Sequence, residues 1–336
     1  MDIFDYTKAE SPQRAIELAA QSNTAQQGAS VRFIAGGTTL FDLMKLSVER
    51  PQHLVDINDL PFSGVERTSN SEMKIGALVR NSDLAHHPIV TEHYPVLSQA
   101  LLSGASAQLR NMATVGGNLL QRTRCIYFRN TAMPCNKRDP GSGCPAITGD
   151  NRTLAILGGS QHCIATNPSD MNVALVALEA RVHIKGDGAE RSVPIGDFHL
   201  LPGDTPQVET VLVPGDLVTH ITVPTPRRRT KQVYLKLRDR ASYEFALSSA
   251  AVVAEIADGH FREVRLAMGG VGTKPWRAVE AEAALSGAPV NNQSIEKAAR
   301  IALAQARPQS GNGFKVELAQ RCVAHALRQA SGLVKA

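Results

Sequence analysis

Two diglycine segments define the N-terminal half of this 336-residue chain: Ile34-Ala35-Gly36-Gly37-Thr38-Thr39-Leu40 and Ala113-Thr114-Val115-Gly116-Gly117-Asn118-Leu119. Paired glycines let the backbone turn sharply and present consecutive N–H groups, and the threonine hydroxyls add donors that suit a diphosphate. Neither segment matches G-x-G-x-x-G or a Walker loop, and each is also compatible with a plain tight turn. Together they predict an extended, phosphate-containing ligand between two adjacent units.

Short strand and helix patterns surround these loops. Residues 31–35 and 53–57 predict strands, and the apolar spacing over 40–46 predicts a helix. From about residue 63 a second set begins, with a strand over 73–79 and a mostly apolar helix over 95–109. The sequence therefore predicts two α+β units joined near residue 60.

Four of the five cysteines are concentrated in one segment rich in glycine and proline. They are spaced Cys125-x9-Cys135-x8-Cys144-x18-Cys163, whereas Cys322 stands alone and is predicted to be a buried helix residue. A long irregular segment in a compact domain is usually functional or held by another group, here a metal centre. The spacing lacks the short knuckle of zinc sites and the short runs of ferredoxins. Zinc, an iron–sulfur cluster and four unrelated thiols all remain open.

Regular structure resumes at Ser169, which is predicted to cap a helix with Asp170 in its first turn. The basic run from Arg227 to Lys231 is interpreted as a solvated linker rather than an anion site, and it marks a domain boundary near residue 226. Strands are predicted over 180–185, 217–223, 233–237, 246–256 and 264–270, and helices over 276–286, 294–306 and 312–331.

The composition excludes several classes of protein. The chain has 36 Lys and Arg against 31 Asp and Glu, a net charge of +5, and 43% hydrophobic residues, which is typical of a folded globular protein. Aromatic residues make up only 4%, so a nucleic-acid partner is not expected. No apolar run is long enough to span a bilayer, and the first ten residues carry no export or lipidation signal. Cytoplasmic residence and periplasmic export with a signal-bearing partner both remain open.

The motifs, taken in order, resemble the FAD-binding subunits of molybdenum hydroxylases, the xanthine dehydrogenase and CO dehydrogenase family. The resemblance runs from about residue 3 to the C-terminal helix. Its motifs are the two diglycine segments, Leu43-Met44-Lys45, Ile75-Gly76-Ala77, Pro168-Ser169-Asp170 and Tyr234-Leu235-Lys236.

The resemblance implies an α+β fold whose FAD-binding domain is of the vanillyl-alcohol oxidase and CO dehydrogenase flavoprotein type. Residues 1–60 would form its first subdomain, and residues 61–225 its second, carrying the cysteine-rich insert 121–165. Residues 226–336 would form a C-terminal domain with a three-stranded sheet and a helical bundle.

The same resemblance implies where FAD lies. The diphosphate would lie on the first loop and on Thr114 and its neighbours, Asp170 would contact the ribityl or adenosine part, and Lys236 would border the isoalloxazine. Where the family has an aromatic residue near the flavin, this chain has Gly104, which leaves open what packs on the ring. The implied FAD-binding residues are Ile34, Ala35, Gly36, Gly37, Thr38, Thr39, Leu40, Ala77, Thr114, Gly116, Gly117, Asn118, Leu120, Asp170, Val218 and Lys236.

The insert is similar to that of periplasmic-type aldehyde oxidoreductase FAD subunits and of the 4-hydroxybenzoyl-CoA reductase β subunit, both of which hold a [4Fe–4S] cluster there. Arg124-Cys125-Ile126-Tyr127-Phe128 and Pro134-Cys135-Asn136-Lys137-Arg138 most resemble the aldehyde oxidoreductase form. The implied cluster ligands are Cys125, Cys135, Cys144 and Cys163.

The implied function is that of an electron-transfer subunit without catalytic residues of its own, because the cofactors carry the chemistry. Substrate would be oxidised on a molybdenum-cofactor large subunit, electrons would pass a [2Fe–2S] small subunit, and FAD would deliver them to an external acceptor such as ferredoxin. Five cations near the cysteines would either dock an acidic carrier or form a solvated basic loop: Arg122, Arg124, Arg129, Lys137 and Arg138.

The sequence leaves alternative functions open. The chain could serve a 4-hydroxybenzoyl-CoA reductase-like or xanthine dehydrogenase-like enzyme, with electrons flowing in either direction. Functions from other classes are a stand-alone flavin oxidase and a zinc-stapled binding module without flavin.

Overall fold

A three-stranded parallel sheet forms the N-terminal unit in the computed structural model, which describes residues 1–226 and 230–334. Parallel neighbours need crossover connections, and two helices lie in them. Ser11 caps the first helix, because its Oγ accepts a hydrogen bond from the Arg14 N–H at 3.2 Å. In sheet order β1-β3-β2, the elements are β1 (Asp5–Lys8), α1 (Pro12–Ala19), β2 (Val31–Ile34), α2 (Leu40–Lys45) and β3 (His53–Asp56).

A five-stranded antiparallel sheet forms the second unit. Residues such as Ile75 and Ile221 from the sheet share one buried core with Leu97 and Val173 from two helices. The sheet order is β4-β5-β8-β6-β7. The elements are β4 (Val65–Arg67), β5 (Met73–Gly76), α3 (Asn81–His86), α4 (Pro88–His93), α5 (Pro95–Ser103), α6 (Ala107–Met112), α7 (Val115–Leu119), α8 (Ile126–Arg129), α9 (Asp170–Ala177), β6 (Arg181–Lys185), β7 (Glu190–Pro194), α10 (Ile195–Phe198) and β8 (Leu217–Val223).

One helix of this unit differs from the prediction. The continuous helix predicted over 95–109 is wrong, because the chain breaks between α5 and α6. Ala105 has φ of 53°, a left-handed conformation that ends a helix. Ser106 then caps α6, its Oγ accepting from the Leu109 N–H at 3.3 Å. The predicted cap of α9 is confirmed, since Ser169 Oγ accepts from the Asn172 N–H at 3.1 Å.

The insert 121–165 is mostly irregular, with α8 and a single 3-10 turn at Pro145–Ile147. It nevertheless has a small apolar core in which Phe128 is fully buried and packs with Leu43 and Val48 of the first unit. The Arg138 guanidinium also donates to the carbonyls of Tyr127 and Phe128 at 2.8 and 2.7 Å. Protein contacts as well as the cysteines therefore shape this segment.

The C-terminal unit is an antiparallel sheet covered by three helices. Three long strands match the expected sheet, and a two-residue fourth strand extends it in the order β12-β11-β10-β9. One face packs on the helices that follow, and the other contacts α5 and α9 of the second unit. The elements are β9 (Thr230–Leu237), β10 (Ser248–Ala257), β11 (His260–Gly269), β12 (Trp276–Arg277), α11 (Val279–Leu285), α12 (Asn292–Ala302) and α13 (Phe314–Ser331).

The three sheets with their helices confirm the predicted α+β fold. The domain division at residues 60 and 225 stays a proposal, which the separation of the three sheets supports. Of the basic run interpreted as a linker, Arg227, Arg228 and Arg229 lie outside the described residues. Among the helices of the described ranges, none combines the length and apolar character needed to cross a membrane.

Candidate functional site

The two diglycine loops lie in direct contact. A Cβ on Gly36 would approach the Met112 carbonyl oxygen to 1.9 Å, so only glycine fits there. Gly37 is required for a different reason, because its φ is 70°. Arg80 stabilises the contact between the loops, because its guanidinium donates to the Met112 carbonyl at 2.5 Å and to Asn58 Oδ1 at 3.1 Å. The loops therefore form one continuous wall.

The backbone donors of the two loops are used differently. In the described ranges, the N–H groups of Gly36, Gly37, Thr38 and Thr39 donate to no other residue, so they are free for an anion. In the second loop the N–H groups are already engaged: Gly116 donates to a carbonyl at 2.7 Å. Gly117 donates to the Thr114 hydroxyl at 3.2 Å. The second loop therefore offers a hydroxyl and a close approach of its backbone, and not free N–H groups.

A cleft of about 230 Å³ runs along this wall between the first and second units. All but three of the residues implied to bind FAD line it. They are Ile34, Ala35, Gly36, Gly37, Thr38, Thr39, Leu40, Ala77, Thr114, Gly116, Gly117, Leu120 and Val218.

The other three implied residues are Asn118, Asp170 and Lys236, which lie beside the cleft in a group of hydrogen-bonded side chains. Lys236 Nζ is 2.8 Å from Asp170 Oδ2, and Tyr234 donates its hydroxyl to Asp170 Oδ1 at 2.5 Å. Ser169 Oγ donates to Asn118 Oδ1 at 2.8 Å. Burial and the neighbouring Asp170 carboxylate raise the pKa of Tyr234 well above its ordinary value. Asp170 faces a second cavity of about 220 Å³.

Gly104 lies next to the Asp170 carboxylate. A Cβ at this position would be 3.4 Å from Asp170 Oδ2, so the backbone of Gly104 packs against that carboxylate. In the described ranges, Phe245 is the aromatic residue that lines the second cavity. The sequence did not single out Phe245, because it follows a loop and belongs to no motif.

The four clustered cysteines line one small cavity inside the insert. Cys125, Cys135 and Cys163 are buried and Cys144 is half-buried, and none forms a disulfide. Cys322 lies elsewhere, 1% exposed in the core of the C-terminal unit, as its helical spacing predicted. The structure therefore brings the four together and keeps the fifth apart.

Backbone N–H groups point at three of these sulfurs. Phe128 and Tyr127 donate toward Cys125, Ala146 donates toward Cys144, and Ala165 donates to Cys163 Sγ at 3.5 Å. Burial raises the pKa of the Cys125 thiol to about 12 and that of Cys163 to about 11. Within residues 1–226 and 230–334, no three or more His, Cys, Asp or Glu side chains are grouped as ligands of one metal ion.

Comparison with known protein families shows to which family the chain belongs. The family model for the FAD binding domain in molybdopterin dehydrogenase matches residues 2–226. The model for the CO dehydrogenase flavoprotein C-terminal domain matches residues 233–330. The chain belongs to the FAD-binding subunits of the molybdenum hydroxylases.

Individual relatives agree with this membership. The aldehyde oxidoreductase FAD-binding subunit PaoB of Escherichia coli is 48% identical over 98% of this chain and 99% of its own length. The glyceraldehyde dehydrogenase medium chain of Sulfolobus acidocaldarius is 30% identical, covering 91% of this chain and 89% of its own. In the structure of carbon monoxide dehydrogenase from Hydrogenophaga pseudoflava, a chain superposes with a TM-score of 0.76 at 26% identity, over 98% of both chains.

The five cations around the cysteines of this flavoprotein subunit are engaged inside the chain. They therefore form neither a solvated loop nor a free docking surface. Arg122 contacts Glu49 and Glu209, Arg124 and Arg129 contact Asp42, Lys137 contacts Glu209, and Arg138 contacts the carbonyls of residues 127, 128 and 133.

A buried ionic network between the cleft and the cysteine cavity was missed by sequence reasoning. Arg32, Glu49, Arg122, Glu209 and Lys137 alternate in charge along it. Burial raises the pKa of the Glu209 carboxyl, but the charges of Arg122 and Lys137 outweigh it and hold that pKa below its ordinary value. Because its members come from distant segments without a shared motif, no local sequence signal could have found it.

Proposed function

We propose that this chain is the FAD- and [4Fe–4S]-binding electron-transfer subunit of a molybdenum-containing aldehyde oxidoreductase. Its partners would be a large subunit with the molybdenum cofactor and a small subunit with [2Fe–2S] clusters. When bound, FAD would collect electrons from these partners and release them to an external acceptor. The similarity to PaoB along nearly the whole of both chains supports this choice of enzyme class.

The first diglycine loop carries the proposal for FAD. The N–H groups of Gly36, Gly37, Thr38 and Thr39 have no partner among the described residues, and all four residues line the cleft. Such a run of donors would stabilise the negative charges of a diphosphate. Thr114 would add a hydroxyl from the second loop. Ala77, Leu120 and the rest of the cleft lining would contact the apolar parts of the cofactor.

The group beside the cleft would hold the flavin end of FAD. Asp170 and Lys236 pair at 2.8 Å and are both nearly buried, which fixes their positions before any ligand arrives. Asn118, through Ser169, connects this pair to the second diglycine loop. Phe245, which lines the same cavity, would supply the aromatic surface that Gly104 lacks. Preorganised polar groups of this kind orient a cofactor without moving.

We assign a [4Fe–4S] cluster rather than zinc to the cysteine cavity, because the insert resembles that of aldehyde oxidoreductase FAD subunits and its four thiols line one cavity. Each of the four thiols could bind a different iron of such a cluster. Cys125, Cys135, Cys144 and Cys163 would be the ligands, and the N–H groups directed at the sulfurs would stabilise their thiolate form.

Purification of the tagged chain from its native source, without oxygen, tests this function. We expect a molybdenum subunit and an iron–sulfur subunit to copurify, and an added aldehyde to bleach the flavin absorption of the complex. A complex whose flavin is reduced by xanthine but not by an aldehyde, or whose reduced flavin is reoxidised by an acyl-CoA, would contradict the aldehyde class. A lone chain that oxidises small alcohols without molybdenum would contradict the subunit role altogether.

A further inference from the structure

A third cavity, of about 110 Å³, lies between the FAD cleft and the cysteine cavity. It shares Arg32 and Arg122 with the cleft, and Lys137 and Cys163 with the cysteine cavity. Four of the five network members line it, namely Arg32, Arg122, Lys137 and Glu209. Charged side chains therefore lie between the two proposed cofactor sites.

The network has a definite order and an unequal charge. Arg32 pairs with Glu49 at 3.0 Å, Glu49 with Arg122 at 2.6 Å, and Glu209 bridges Arg122 to Lys137. Three cations against two anions leave a net charge of +1. The members are between 2% and 24% exposed, so solvent screens them weakly.

Lys137 is the cation at the cysteine end. It lies two residues after Cys135, lines both cavities together with Cys163, and is only 7% exposed. Its Nζ is held in place by Glu209 Oε1 at 2.9 Å and by the Pro206 carbonyl at 2.8 Å. A long flexible side chain that lines the cysteine cavity is thereby held in one position.

We propose that Lys137, positioned by Glu209, raises the reduction potential of the iron–sulfur cluster and so sets the driving force between cluster and flavin. The inference rests on the cluster of the proposed function. One-electron reduction adds a negative charge to a cluster that four thiolates already make anionic. A fixed cation nearby stabilises the reduced form more than the oxidised form, and net charge is one of the factors that set such potentials.

Redox titration of the anaerobic complex, monitored by electron paramagnetic resonance, tests the proposal. In Lys137→Met we expect full iron content and a cluster reduction potential about 59 mV lower than in the wild type. For a one-electron couple this corresponds to a roughly tenfold less favourable reduction. Lys137→Arg keeps the charge and should stay near the wild-type potential. Arg129→Met is the matched control, since Arg129 lies on the same insert and pairs with Asp42 but lines neither cavity.

Glu209→Gln should shift the reduction potential of the cluster in the opposite direction, because removal of the anion should raise it. If Lys137→Met loses iron, Glu209→Gln decides, and a potential that is unchanged or lower overturns the proposal. Full iron with an unchanged potential in Lys137→Met, or an equal shift in Arg129→Met, also overturns it and leaves the cluster standing. A wild-type chain without the cluster would instead reject the proposed function itself.

Discussion

At the scale of single residues, the adjacent glycines Gly36 and Gly37 have different structural roles. Gly37 allows a left-handed backbone, whereas Gly36 allows the first loop to touch the Met112 carbonyl. The sequence predicted that both glycines matter, but it gave only the conformational reason. The contact of Gly36 depends on a residue 76 positions away, which no local pattern encodes.

Gly36→Ala tests the wall formed by the two loops. A methyl group 1.9 Å from the Met112 oxygen must push the loops apart, which displaces the free N–H groups from their common cleft. We expect flavin content to fall at least tenfold, measured as FAD released per polypeptide from the purified protein. Gly64→Ala is the control, because a Cβ there meets nothing within 4 Å. Retention of full flavin in Gly36→Ala would show that the loop contact is unimportant for binding.

At the scale of elements, the sequence predicted strands well where burial follows a regular pattern. The strand predicted over 217–223 matches β8, and the predicted C-terminal helices overlap α11, α12 and α13. The break between α5 and α6 was missed, because a left-handed alanine leaves no compositional trace. The insert was recognised by its irregularity, but its own apolar core around Phe128 was not.

The start of α13 holds the insert against the C-terminal unit through one buried lysine. Lys315 is fully buried and donates to the carbonyls of Thr153, Leu154 and Gly270 at 3.1, 2.9 and 2.5 Å. Sequence reasoning did not identify it, because a lysine in a helix is ordinarily a surface residue. The contact joins the end of the insert to two separate parts of the C-terminal unit.

Lys315→Met should destabilise this junction. The methionine fills similar space but leaves three buried carbonyls without their donor, which costs about 2 kcal/mol or more. We expect a lower midpoint of thermal unfolding than for Lys297→Met, which changes an exposed lysine of the neighbouring α12. Equal midpoints for the two variants would mean that the buried ammonium adds no net stability.

At the scale of the whole molecule, the proposed FAD cleft and the cysteine cavity are separate cavities with a network of charged side chains between them. The diglycine motifs predicted the two loops of the cleft wall, and the cysteine spacing marked the insert, whereas the other cleft residues and the ligand set came from the resemblance to the family. The ionic network could not be predicted, since Arg32 and Glu49 come from the first unit, Arg122 and Lys137 from the insert, and Glu209 from the second unit. Tertiary folding alone brings these charges together.

Iron and flavin analysis of freshly purified anaerobic protein tests the central claim most directly. We expect about four irons per FAD, beyond those of any [2Fe–2S] partner, and an iron–sulfur shoulder on the flavin spectrum. Each of Cys125→Ser, Cys135→Ser, Cys144→Ser and Cys163→Ser should lose this iron, and Cys322→Ser should keep it. One zinc without iron, iron far below four in fresh material, or iron lost in Cys322→Ser alone would contradict the account.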